Sequence, residues 1–171
     1  MSWPAYPDSS EVPPDQIGTG TTRPRYEDIA QDGRMRLEGI WPPLGPILWS
    51  GQLPIVRPLG RLGTQGIRAV LSRVVLSGGS EPLSVHNLVE HELRYRLGHT
   101  RDSAGNVDRI VFHTWLESHA SRGIADDPGR PSTGPRVLVA RAYGLHVFTR
   151  PRAPPGEHRV LELDDPELPR V

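Results

Sequence analysis

Cysteine is missing from this chain of 171 residues, and so is lysine. Without cysteine there are no disulfides, no thiolate metal ligands and no thiol nucleophile. Without lysine, all 20 basic residues are Arg, whose planar fork suits carboxylates and phosphates. An excess of Arg, Pro, Gly and Ala is also what a GC-rich coding sequence produces. Net charge is missing as well: 20 acidic residues balance the 20 basic ones, so no global field draws the chain to nucleic acid or to an anionic membrane. No stretch approaches the roughly 20 apolar residues of a membrane-spanning helix. The opening MSWPAYPDSSEVPPDQ has no basic region leading into an apolar run, so no signal peptide is expected. These absences point to a cytoplasmic protein, and the length suits one domain with its own core.

Catalytic signatures are absent too. No Gly-x-Ser-x-Gly surrounds Ser72, Ser84 or Ser118, and the glycines of GTGTT and SGGSEP lack the strand-to-helix setting of a phosphate loop. The seven histidines form no His-x-His or His-Glu-x-x-His. His86 and His91 fall on opposite faces of any strand, and His113 and His119 share a face at about 20 Å. No metal or cofactor is expected.

What is present is period-two patterning between two proline-rich ends. Residues 1–22, with Pro4, Pro7, Pro13, Pro14 and GTGTT, read as a flexible tail that Trp3, Tyr6 and Val12 could tack to the body. Residues 23–151 read as the single domain. Residues 152–171 form an extension in which Val160, Leu161 and Leu163 suit one short edge strand. In LVEHELRYRL, Val89, His91, Leu93, Tyr95 and Leu97 share one face while Glu90, Glu92, Arg94 and Arg96 share the other: a half-buried antiparallel strand. The turn-like RDSAGNVD links it to RIVFHTWLESH as a hairpin, and IRAVLSRVVLSGG and RVLVARAYGLHVFT supply two more strands. Helix is expected only in IWPPLGPILWSGQLPIVRPLGRLG, broken by proline, with one piece near Leu44–Gly51 and another from Pro54. Long strands segregated after an apolar helical stretch define an α+β domain, an antiparallel sheet packed on that helix.

The run RYEDIAQDGRMRLEGI (Arg25–Ile40) resembles the first strand, turn and helix entry of hot-dog acyl-carrier-protein and acyl-CoA thioesterases, and VLVARAYGLHVFTRP resembles their last long strand. The resemblance spans about Arg23 to Pro151. It implies a hot-dog-like antiparallel sheet wrapped around a short, proline-interrupted central helix, and a homodimer or higher even oligomer. It further implies a thioesterase-like protein that hydrolyses or binds acyl-CoA or acyl-carrier-protein thioesters. The common family pattern is Tyr-x-Asp-x-Asp-x-x-Gly, whose second Asp serves as base or nucleophile. Asp28 matches the first Asp, Ala30 stands at the second, and Gly33 is followed by Arg34 and Met35 in place of His-Val.

Thioester hydrolysis needs a base or nucleophile and donors that polarise the carbonyl. Asp28 and Asp32 are carboxylate candidates; each also has an ordinary reading, Asp32-Gly33 as a turn pair and Asp28 as a local cap. Glu38 suits a first helical turn. His86, where a loop enters the amphipathic strand, is the alternative acid or base, with Asn87 beside it. Leu44, Leu48 and Trp49 would line an acyl tunnel, and Arg34, Arg57 or Arg61 would meet the carrier's phosphates. His91 and His146, on apolar faces, read as satisfied buried histidines. Competing readings are a non-catalytic hot-dog dimer that binds an apolar ligand or protein partner and, more weakly, an acyl dehydratase or hydratase.

Overall fold

The computed structural model describes residues 7–50, 53–130 and 132–168. Its centre is the segment with the strongest alternation. Strand β3 (Val89–Arg101) buries Val89, His91, Leu93, Tyr95 and Leu97 on one face. It turns where Asp102 Oδ1 accepts 2.9 Å bonds from the Ala104 and Asn106 amides. Strand β4 (Val107–Ser121) then pairs with it from Arg101↔Val107 back to Val89↔Ala120. Strand β5 (Arg136–Thr149) pairs with β4, and β2 (Arg68–Gly78) with β5. The fifth strand, β1 (Ile17–Thr22), lies along β3, giving an antiparallel sheet of order β1-β3-β4-β5-β2.

Strand β1 corrects the tail expected over residues 1–22. Gly18 and Gly20 face the helical layer, where a Cβ would come within 3.0 Å and 2.8 Å of Ile47. A larger residue at either position would crowd the Ile47 side chain. Upstream, Val12 and Gln16 are also buried; Trp3 and Tyr6 lie outside the described residues. The strand expected at the start of RYEDIAQDG is instead a 3-10 turn over Tyr26–Asp28, followed by a single bridge between Ile29 and Met35.

The helical layer is in two pieces, α1 (Leu44–Trp49) and α2 (Val56–Thr64). Pro46 and Pro58 each sit third in their helix, inside the first turn, where the missing N–H has no intrahelical acceptor to lose. Proline therefore sets the breaks without breaking either helix. Ile40, Leu44, Ile47, Leu48, Ile55 and Leu62 bury against Leu93, Tyr95, Leu97, Phe112, Leu116, Ala140 and Ala142, each large side chain contributing about 1.5–3 kcal/mol. Among the described residues the C-terminal extension forms no strand, only an isolated bridge from Arg159 to Thr149. Val160 is fully buried, the Ile110 amide donates to its carbonyl at 3.3 Å, and Arg61 holds Asp165 through bonds of 2.6 and 2.7 Å.

Candidate functional site

The segment from Tyr26 to Arg36 separates two hollows, and the expected site residues divide between them. Its local structure comes from two aspartates. Asp28 accepts from the Arg25 amide at 2.8 Å and from the Arg25 guanidinium at 2.9 and 3.1 Å. These bonds hold its carboxyl below the usual range, although burial opposes them. Asp32 Oδ1 accepts from the Arg34 amide at 3.1 Å and Oδ2 from Arg34 Nε at 2.7 Å, which lowers its carboxyl likewise. The chain reverses through Gly33, at φ 81°, where a Cβ would press on Pro82 at 3.0 Å. The Leu83 amide donates to the Gly33 carbonyl at 2.7 Å, tying this turn to the next loop.

On one side is a hollow of about 190 Å³ walled by Asp28, Met35, Pro42, Pro43 and Pro46, with His91 at its base. His91 is buried with both ring nitrogens engaged, Nε2 at 2.7 Å from Thr22 Oγ1 and Nδ1 at 2.9 Å from Ser118 Oγ. Burial pushes its pKa down to about 4, so the ring is neutral near pH 7. His146 is half-buried between Trp41 and Phe112, and desolvation lowers it too.

On the other side is a groove of about 450 Å³. Tyr26, Ile29, Leu83 and Ile124 make its walls apolar, and Ala30, Arg36, Ser84, His86 and Asp126 add the polar chemistry. Tyr26 and Ile124 are 84% and 55% exposed, an apolar lip at the mouth. The backbone around His86 is held: its amide donates to Ser84 Oγ at 3.1 Å, and its carbonyl accepts from Arg23. Among the described residues the His86 imidazole and the Arg36 guanidinium have no hydrogen-bonding partner. A proton acceptor and a cation are thus uncommitted on the wall that carries Ala30. Ser84 is not free to attack: its hydroxyl donates to the Ala125 carbonyl at 2.6 Å.

The structure brings His86 to the groove and leaves the other expected residues elsewhere. Asp28 lines the smaller hollow, and Asp32 and Arg34 pair with one another on a shallower surface beside Glu38. Leu44 and Leu48 are core residues, and Trp49 is 59% exposed; none of them lines either hollow. Arg61 is committed to Asp165 and Glu167. Asn87 does not face the groove but builds it. Its buried Oδ1 accepts from Ser84 N at 2.8 Å and Ala125 N at 3.3 Å, while Nδ2 donates to the Gly123 carbonyl at 2.9 Å. It staples the His86 loop to the Ile124 loop. Arg36, Ile124 and Asp126 are groove residues that the sequence reading missed. Arg36 comes from one loop and Ile124 and Asp126 from another, and only tertiary bonds, Leu83 to Gly33 and the Asn87 staple, bring them together.

No protein-family model matches the chain, and no curated protein matches it in sequence. Solved structures do match. The Dynemicin thioesterase is 14% identical, with 87% of this chain and 89% of that one aligned at TM-score 0.54. A mutant 4-hydroxybenzoyl-CoA thioesterase complexed with 4-hydroxybenzoyl-CoA is 15% identical, over 81% and 87% at TM-score 0.53. The 4-hydroxybenzoyl-CoA thioesterase from Pseudomonas sp. strain CBS-3 is 17% identical, over 86% and 94% at TM-score 0.50. At this identity the likeness concerns architecture: a five-stranded antiparallel sheet around a short helical layer, the hot-dog fold of those thioesterases, is the fold of this chain.

Proposed function

We propose that this chain binds and hydrolyses an acyl thioester in the groove between Ala30 and His86. The observation that carries the reading is the pairing of an uncommitted imidazole with an apolar-walled groove, in a fold shared with thioesterases. The acyl or aryl part would lie along Tyr26, Ile29, Leu83 and Ile124, and Arg36 would face a phosphate of coenzyme A or of a carrier protein's prosthetic arm. His86 would take a proton from water as hydroxide adds to the carbonyl carbon. The C–S bond then breaks, and the imidazolium returns the proton to the departing thiolate, leaving acid and thiol. Asp28 and Asp32 fit the base role poorly, because arginine bonds that lower a carboxyl also weaken it as a proton acceptor.

Ala30 favours a second reading, a binder without turnover, since the family pattern puts its working carboxylate there. Thiol release measured across a panel of acyl-CoA chain lengths separates the two. Hydrolysis that falls by roughly 10² or more in His86→Gln supports the first. A silent parent chain that gains turnover in Ala30→Asp supports the second. Assembly as a homodimer in the cytoplasm belongs to the same reading. The exposed edge of β2, with Val70, Leu71 and Val74 outward, suits pairing with another copy. A monomeric mass by light scattering at micromolar concentration would count against it.

A further inference from the structure

The hollow above His91 takes no part in the chemistry assigned to the groove, yet a chain of hydrogen bonds ends in it. Ser118 is fully buried, and among the described residues its hydroxyl meets only His91 Nδ1, at 2.9 Å. A buried O–H that donates to nothing is costly, so Ser118 is the donor and Nδ1 the acceptor. In a neutral imidazole the proton then sits on Nε2, which donates to Thr22 Oγ1 at 2.7 Å. Thr22 is half-buried and lines the hollow, and among the described residues its hydroxyl has no other partner. Its own proton is left for whatever occupies the hollow, on an oxygen already engaged from behind by buried groups.

The rest of the hollow suits an uncharged, largely apolar molecule. Pro24, Pro42, Pro43 and Pro46 line it with no N–H to offer, and buried Met35 adds an adaptable thioether. At the rim, Arg25 Nη1 and Nη2 bind Glu27 and Asp28 at 3.1 and 2.9 Å, while Nη1 and Nη2 of Arg23 donate to the main-chain carbonyls of His86 and Pro128. An anion would find both guanidinium forks committed and would face the Asp28 carboxylate. A cation would find that carboxylate already taken by Arg25. A cavity of roughly 150 Å³ takes benzene, so the hollow of about 190 Å³ suits one six-membered ring bearing a single acceptor atom.

We propose that this hollow is a binding site for a small neutral ring ketone or lactone, its carbonyl oxygen accepting from Thr22 Oγ1 and its ring lying against Met35 and the prolines. The site is separate from the groove and independent of thioester turnover. Cyclohexanone is the probe, followed by NMR through the Met35 methyl in the full chain carrying isotope-labelled methionine; the signal is assigned by its loss in Met35→Leu. That methyl is expected to shift saturably. Methylenecyclohexane, of nearly the same shape but without an acceptor, is expected to bind about tenfold more weakly. Thr22→Val should bring the two probes to equal affinity, and Thr22→Ser should keep them apart. The proposal is overturned by the lack of a saturable shift, by equal affinities in the parent, by a preference that survives Thr22→Val, or by cyclohexanecarboxylate binding more tightly than cyclohexanone. Should Thr22→Val unfold by circular dichroism, Thr22→Ala is read the same way: loss of the preference supports the site, and its survival rejects it.

Discussion

At the scale of single residues, the buried polar side chains define what can be tested. Asp28 is bound three times by Arg25, so Asp28→Asn is expected to cost about 1 kcal/mol, as a lost cap does, and to leave any thioester turnover within a few-fold of the parent. Urea unfolding and thiol release check the two halves; a hundredfold loss of turnover would return the carboxylate to the mechanism. His91 supplies a pH signature. Its folded pKa, about 4, lies below the ordinary value near 6.5, so protons bind the unfolded chain more readily between those limits. Stability is therefore complete above pH 6.5 and declines as pH falls towards 4, by about 3 kcal/mol in the ideal case. His91→Gln should flatten this limb of a melting-against-pH series. An unchanged limb would show that His91 takes up its proton in the fold as readily as in the unfolded chain.

At the scale of elements, strand β1 and the Asn87 staple show what periodicity can and cannot reveal. The β3 pattern was legible because one residue in two is apolar, and the helix breaks were legible because proline admits few positions. Strand β1 was not, since IGTGTT has a single large apolar residue; its burial comes from α1 descending onto Gly18 and Gly20. Gly20→Val is accordingly expected to destabilise by about 1–3 kcal/mol through overpacking against Ile47, measured by chemical denaturation, whereas Thr21→Val on the opposite face should be nearly neutral. The groove was legible only at His86. The Asp28 and Asp32 candidates followed from motif resemblance, and their arginine partners lie two or three residues away, too local for a hydrophobic pattern to register. Asn87→Ala would strand the Ala125 amide and the Gly123 carbonyl, a loss of about 2–4 kcal/mol. The Ile124 loop should then exchange its amide hydrogens faster than β3 does; equal protection would mean that the loops are held without the staple.

At the scale of the whole molecule, residues 12–22 and 160–165 on either side of the expected domain belong to the fold. Removing everything through Thr22 would uncover one side of β3, so truncation there is expected to abolish cooperative melting, measured by calorimetry; an unshifted transition would mark β1 as dispensable. The strand order has a further consequence for synthesis. β2 leaves the ribosome early, yet its sheet partner among the described residues is β5, which begins at Arg136 long after β2 ends at Gly78. For that interval AVLSRVVL is an unpaired run of high strand propensity, the kind of segment that chaperones bind and aggregates recruit. Arg73 interrupts it with a charge near its middle. Replacing that one arginine by an apolar residue would touch little in the finished protein, and its effect should surface as a lower yield of soluble chain during expression.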